Sequence, residues 1–418
     1  MTSSVPEGSA HETLREAARS TLAANWREGE RDGIPYAYTA PSPMRYPWQW
    51  YWDSCFAAIA WRRFAPRRSH EELETLLRAA RADGFIGHTI FWRRRVDVRR
   101  YLFYNIVSPR AFMTSTIQPP LLALAWRMCV GDPARVPGIV RHHRWLEQHR
   151  DLDGDGLLWV LQPDETGLDA SPQFDRVWGV RSPGLPLFPL LVWRNRRLRF
   201  DIRAVRDAGG PIVCSTITNV LYGLSRLALG RPSNTPALVE RLWDERAGVF
   251  RDEVWPQPPG SAPVTWDSLS PLALPDLPEQ IGRRLVEEQL LRRDRFWLPV
   301  PPPSVSAREP AFSRVDRFWG LRRYWRGPTW VNAAWLLRIG LVRLGYREQA
   351  RTLAERLLKA VTREGLREYY DPFSGTGMGA RRFAWSALAL ELLDEQPLPS
   401  RLGTPGAGET PDGTPTGA

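Results

Sequence analysis

Apolar residues recur every three to four positions in segments 12–28, 52–64, 70–82, 115–130, 134–150, 186–207, 214–230, 236–245, 279–293, 328–344, 347–363 and 381–394. That period returns side chains to one face of an α-helix. Gly, Pro and Asp mark the breaks, as in Gly131-Asp132-Pro133 and at Gly345. Alternation with a period of two is scarce, so the pattern predicts about twelve helices and few strands. The connections are unequal: 29–51, 84–113, 151–185, 246–278 and 294–327 are long, the others short. Long connections in a compact domain usually carry function. Helices paired by alternating short and long loops predict an all-α fold, an (α/α)6 toroid of six helical hairpins, with the long loops gathered around a pocket on one face. A solenoid is the rival architecture, but no repeat of fixed length supports it. One domain is expected over 11–396, between Ser-, Gly-, Pro- and Thr-rich tails at 1–10 and 397–418 that are expected to be poorly ordered.

Composition narrows the class. Hydrophobic residues make up 43% of 418, enough for a large core, and 20 tryptophans exceed what packing needs. An indole offers a flat face to the C–H surface of a sugar and an N–H to its hydroxyls. The formal charge is +11, and the 57 basic residues include a single lysine, Lys359. The arginines are scattered and offset by 46 acids, with only short runs such as Arg93-Arg94-Arg95. This reads as a solvated surface able to attract anionic substrates, not as a nucleic-acid interface. Cys55, Cys129 and Cys214 are odd in number and lack a metal spacing, which predicts a reducing compartment and no zinc site. Residues 1–19 lack a signal-peptide core, and no run of about 18 apolar residues occurs, so a soluble cytoplasmic protein without a membrane partner is expected.

Several segments carry candidate chemistry. Residues 45–53, Arg-Tyr-Pro-Trp-Gln-Trp-Tyr-Trp-Asp, place aromatics and a glutamine beside Asp53 at the start of a helix. They suit a sugar cradle; Asp53 as a helix N-cap over core aromatics is the alternative. Residues 164–172, Asp-Glu-Thr-Gly-Leu-Asp-Ala-Ser-Pro, hold three acids within six positions, and neighbouring carboxylates raise one another's proton affinity as a general acid requires. Upstream, Asp151-Leu152-Asp153-Gly154-Asp155 resembles half a calcium loop without its closing glutamate and reads better as a turn. Tyr324-Trp325-Arg326-Gly327-Pro328-Thr329-Trp330 sets an arginine between tryptophans at a helix start. Glu368-Tyr369-Tyr370-Asp371-Pro372 precedes a glycine-rich turn that follows no strand in this reading and lacks a Lys-Ser/Thr end, so a nucleotide site is not expected. His142-His143 on a helix reads as a solvent face, since adjacent helical positions diverge.

In order along the chain, Tyr46–Ser54, Gly84–His88, Ile117–Pro120, Glu165–Pro172, Tyr324–Trp330 and Glu368–Gly375 resemble the motifs of glycoside hydrolase family 63, and within it the short prokaryotic hydrolases of mannosylglycerate and glucosylglycerate. The resemblance implies an (α/α)6 toroid and an inverting mechanism needing no metal or other cofactor. It assigns Asp169 as the acid that protonates the glycosidic oxygen and Glu368 as the base that activates water. For inversion the two carboxyls stand about 6.5–9.5 Å apart. It maps substrate contacts onto Tyr46, Trp48, Gln49, Trp50, Trp52, Asp53, Gln118 and Trp330, with Glu165, Arg326, Gly327 and Trp385 flanking. His88, Tyr324, Tyr369 and a nearby arginine are the candidates for the glycerate carboxylate.

The expected activity is therefore hydrolysis of a small anionic hexosyl-glycerate to hexose and glycerate. Residues 294–327, with Pro299 and Pro301–Pro303, are expected to form a lid. Another α-glucosidase of the same architecture, acting on trehalose or a glucose-capped oligosaccharide, is the alternative among enzymes. A non-catalytic sugar-binding toroid is the alternative outside them, and it would not need both carboxylates.

Overall fold

The computed structural model describes residues 7–93, 101, 103–178, 187–257, 262–318, 321–322, 324–395 and 398. Six helices in it are buried nearly all round: Tyr51–Trp61, Leu122–Cys129, Thr216–Ala228, Trp266–Ala273, Val331–Arg343 and Ala384–Leu393. Their sequences are apolar or small on every face, as in Tyr-Trp-Asp-Ser-Cys-Phe-Ala-Ala-Ile-Ala-Trp, so no orientation would suit them to a surface. Each packs on the next in chain order, and Ala384–Leu393 packs back on Tyr51–Trp61, which closes a ring.

Six outer helical segments back this ring: Pro66–Ala79, Pro137–Arg150, Thr235–Leu242, Glu279–Leu290, Arg347–Glu364 and, against the last inner helix, Glu7–Asn25. These are one-sided. In Arg347–Glu364 the buried positions are Ala350, Leu353, Ala354, Leu357, Ala360 and Val361, an i, i+3, i+4, i+7 stripe against solvent-facing Arg and Glu. The result is the (α/α)6 toroid. The helix against the last inner one runs from Glu7, while residues 1–6 and nearly all of 397–418 lie outside the described residues.

Inner helices pass to outer ones through short turns, such as 62–65, 274–278 and 344–346, whereas outer helices return to inner ones through long connections, such as 26–50, 151–215 and 291–330. Every inner helix thus enters from the long-loop face. All the small antiparallel sheets lie in these long connections, including Trp26–Arg31 with Ile34–Thr39, Gln49–Trp50 with Thr89–Ile90, and Arg367–Tyr370 with Gly377–Arg381. Strand pairing gives these loops a fixed shape.

Several sequence expectations shift. The loop expected over 246–278 contains the fourth inner helix, Trp266–Ala273, a short 3-10 stretch with Pro271 inside, too brief to show a helical period. The helix expected over 186–207 breaks at Arg199 and Phe200, whose φ angles of 55° and 57° are left-handed, and restarts at Ile202 with Asp201 capping the Arg203 and Ala204 amides. Pro119 and Pro120 delay the helix expected from 115 to Leu122. His142 and His143 do not face solvent: His142 hydrogen-bonds the Tyr51 hydroxyl at 3.1 Å and the Gly84 carbonyl at 3.0 Å, and His143 stacks on Tyr222. Burial lowers the pKa of both, that of His142 to about 4, so they pack as neutral rings. The 151–155 loop is closed by arginines, with Asp153 paired to Arg206 and Arg241 and Asp155 to Arg241.

Candidate active site

A cavity of about 700 Å³ opens on the long-loop face at the N-terminal ends of the inner helices. Four carboxyl groups line it, Asp53, Asp164, Asp169 and Glu368, together with the aromatic rings of Tyr46, Trp50, Trp52, Tyr324, Trp325, Trp330, Phe383 and Trp385. The rings brace one another: Trp330 stacks on Trp325 with centroids 3.7 Å apart and planes 10° apart, while Trp385 meets Trp52 edge-on at 5.3 Å. Such contacts fix flat apolar faces around a polar floor, the usual form of a sugar site.

Glu368 belongs to the strand Arg367–Tyr370, which is bridged through Tyr370 to Thr329 just ahead of an inner helix. It is 3% exposed and accepts three hydrogen bonds: from Arg45 Nη1 at 3.0 Å, the Tyr46 hydroxyl at 3.0 Å and the Ala380 amide at 2.8 Å. Asp169 occupies a turn between two short 3-10 segments, Pro163–Thr166 and Pro172–Phe174, and accepts from the Tyr324 hydroxyl at 2.5 Å. That turn rests on Gly167, whose φ is 74°; a Cβ there would lie 2.3 Å from the Trp52 ring. Only glycine allows the carboxylate turn to lie flat on this indole.

Asp164 lies on the same wall and accepts from Asn105 Nδ2 at 2.5 Å and Gln162 Nε2 at 2.6 Å. Burial raises its pKa to about 7, with the nearby charges of Glu165 and Asp169 adding to the rise. Asp53 is third in the Tyr51–Trp61 helix, whose N-cap is Trp50, so it is not the cap. Burial holds its carboxyl well above the ordinary range, and Glu368 and Glu72 push the same way. Burial lowers His88 to about 3, making it a neutral imidazole against the edge of Trp50. Among the described residues Arg45 is the one cation on the wall.

The structure brings Tyr46, Trp50, Trp52, Asp53, His88, Gln118, Asp169, Tyr324, Trp330, Glu368 and Trp385 to the cavity and leaves six other expected residues off its wall. Trp48 packs edge-on against Phe91 and Tyr104 in a small separate core. Gln49 is fully buried, accepting from Trp92 Nε1 at 2.6 Å and donating to Ser54. Glu165 is fully buried in a two-pronged pair with Arg150, at 2.8 and 2.9 Å, and accepts the Ile117 amide, so it anchors the turn from behind. Arg326 pairs with Asp175 and is 1% exposed. Gly327 lets its backbone pass Ser313, where a Cβ would lie 2.1 Å from the carbonyl oxygen. Tyr369 donates to Asp316 at 2.8 Å and supports the rings of Tyr324 and Trp330. Gln118 both lines the cavity and accepts the Trp52 amide at 3.0 Å.

Sequence reasoning missed Arg45, Thr89, Asn105 and Thr114 on the wall, and it set Asp164 aside. Arg45 and Asp164 each stand at the edge of a recognised motif, a signal that was available. Asn105 and Thr114 sit in a loop without a motif and could be found only through the fold.

Three comparisons bear on this geometry. A mannosylglycerate hydrolase of Rubrobacter radiotolerans is 28% identical over 92% of this chain and 97% of its own. A glucosylglycerate hydrolase of Mycolicibacterium hassiacum is 28% identical over 84% of this chain and 93% of its own. The crystal structure of a family 63 mannosylglycerate hydrolase from Thermus thermophilus, in complex with Tris and D-glycerate, superposes with a TM-score of 0.74 at 27% identity, covering 90% of this chain and 99% of that one. The family described as the mannosylglycerate hydrolase MGH1-like glycoside hydrolase domain matches residues 46–212 and 231–386, segments that carry nearly all of the cavity wall and most of the ring, and the chain belongs to this family of glycoside hydrolases.

Proposed function

We propose that this glycosidase cleaves the α-glycosidic bond of a hexosyl-glycerate, mannosylglycerate or glucosylglycerate, with inversion at the anomeric carbon. The observation that carries the reading is the pair of carboxyls on one aromatic-walled cavity in opposite settings: Glu368 with Arg45 and Tyr46, Asp169 with Tyr324 and beside Asp164. Asp169 in its protonated form gives its proton to the glycosidic oxygen as the bond to the sugar breaks. Glu368 takes a proton from the water that attacks the opposite face. Glycerate and the inverted hexose leave, and solvent restores the proton to Asp169 and removes one from Glu368.

The aromatic rings and Asp53 suit the hexose. Arg45 is already engaged by Glu368, so the glycerate carboxylate is left, on the described wall, to neutral donors such as Gln118, Asn105, Thr89 and the His88 ring. The relatives named for mannosylglycerate and glucosylglycerate, and the neighbour that holds D-glycerate, support this substrate class. We also infer one catalytic domain ending near 396, working in the cytoplasm, a reading supported by three cysteines that form no disulfide.

The test is hexose release from mannosylglycerate, glucosylglycerate and trehalose by the wild type, Asp169→Asn and Glu368→Gln, with the anomer followed by NMR during the first turnovers. Release from either glycerate glycoside as the β-anomer, abolished in both variants, is expected. Full activity in either variant sinks the mechanism, and activity on trehalose alone sinks the substrate.

A further inference from the structure

Behind the Glu368 wall lies a second cavity of about 670 Å³, lined by Arg363, Arg367, Arg381 and Arg382 and by the loop Ser42–Met44. The two cavities share two partitions. Along the strand Arg367–Tyr370 neighbouring side chains point to opposite faces, so Arg367 lines the second cavity and Glu368 the first. Along the preceding loop, Ser42, Pro43 and Met44 line the second cavity, whereas Arg45 and Tyr46, both bonded to Glu368, line the first. The Ser42 carbonyl accepts the Arg45 and Tyr46 amides at 3.0 and 2.6 Å, so the loop is a tight turn in which one side cannot shift without the other.

The second cavity is strongly positive. Four arginines and one acid, Glu364, line it, and Glu364 is already bonded to Arg363 Nε at 2.9 Å and to the Gly377 amide at 3.2 Å. Elsewhere in the molecule arginines commonly sit on carboxylates, as Arg150, Arg241 and Arg326 do. Arg367, Arg381 and Arg382 form no ion pair among the described residues. The Asn25 amide donates to the Arg382 carbonyl at 2.9 Å and to the Pro41 carbonyl at 3.3 Å, tying the two edges of the cavity together, and Arg382 holds a left-handed φ of 50°. Arginines in excess of carboxylates around a concave surface can recognise oxyanions, because the planar guanidinium donors match carboxylate and phosphoryl oxygens.

We propose that this cavity is a second site for a small oxyanion, of the phosphoryl or carboxylate class, and that its occupancy adjusts the setting of Glu368 through the Arg367 strand and the Ser42–Tyr46 turn. The binding half stands apart from the catalytic reading; the coupling half rests on Glu368 as the base.

The experiment uses the full chain and the double variant Arg381→Ser/Arg382→Ser, which alters exposed side chains absent from the catalytic cavity. Thermal unfolding is measured with inorganic phosphate and with D-glycerate against sodium chloride at matched ionic strength. A ligand that binds the folded state raises Tm by mass action. A rise with phosphate, glycerate or both that the double variant lacks establishes the site and tells which oxyanion class fills it. No rise above chloride, or an equal rise in the double variant, overturns it. The coupling is read from kcat and KM on the hexosyl-glycerate. An oxyanion-dependent change in kcat of about fivefold or more, absent from the double variant, supports it. Binding that leaves kcat unchanged overturns the coupling, and competitive inhibition that survives in the double variant belongs to the catalytic cavity and counts against the second site.

Discussion

On one wall of the aromatic-lined cavity Glu368 lies in a strand and accepts from a guanidinium, a phenol and a backbone amide; on the other, Asp169 lies in a turn beside a second carboxyl, Asp164, and accepts from Tyr324. The first wall offers a carboxylate three donors, one of them a cation. The second gathers acids, and one of them, Asp164, is pushed up to about 7 by burial. Two like side chains are given unlike surroundings, which is how one fold can hold a proton acceptor and a proton donor at the same pH. The backbone differs in the same sense. A paired strand fixes Glu368, while Asp169 depends on a turn that is held by Gly167 in front and by the Arg150–Glu165 pair behind.

The largest effect should come from exchanging the two carboxyls for amides. Both Glu368→Gln and Asp169→Asn are expected to lower kcat on a hexosyl-glycerate by about 10²–10⁴-fold. An aryl glycoside with an acidic phenol as leaving group needs no proton, so with that substrate Asp169→Asn should recover and Glu368→Gln should not. Recovery of the glutamate variant instead would reverse the assignment of the two walls.

Next in size is the support behind the turn. Arg150→Met strands a fully buried Glu165 carboxylate and is expected to cost about 3–5 kcal/mol in urea unfolding. A loss near that of a surface ion pair, below about 1 kcal/mol, would show that the turn does not depend on it. On the other wall, Arg45→Met removes one charged hydrogen bond from Glu368, leaves its other two partners, and should lower kcat by about tenfold to a hundredfold, with Arg45→Lys recovering part of the loss.

The smallest effect concerns pH. Asp164 keeps its proton in the folded protein up to about 7, whereas its ordinary value is 3.8. Between those values the folded state binds a proton that the unfolded state has released, so this group's contribution to stability is full below about 3.8 and is lost as pH rises through about 7. Asparagine does not titrate. The Tm of the wild type relative to Asp164→Asn should therefore fall from pH 4 to pH 7 and level off above; a difference that is flat across this range would show that Asp164 is not buried as a neutral acid.

Much of the architecture was legible in the sequence. The three-to-four apolar spacing marked most of the helices, and alternating loop lengths pointed to the ring and put the pocket on one face. Trp266–Ala273 escaped because eight residues with an internal proline show no period. The motifs marked loops that line the cavity but not the direction of each side chain. Gln49 and Trp50 are neighbours in a two-residue strand, and only Trp50 reaches the cavity; of Asp164 and Glu165, only Asp164 does.

Periodicity and loop lengths by themselves pointed to an all-α ring with aromatic-rich loops, because those signals are local and repeat along the chain. Tertiary structure alone decided which carboxyl meets a cation and which meets another acid. Arg45 and Glu368 stand 323 positions apart, as Tyr324 and Asp169 stand 155 apart, and no local pattern encodes a hydrogen bond closed by the folding of the whole ring.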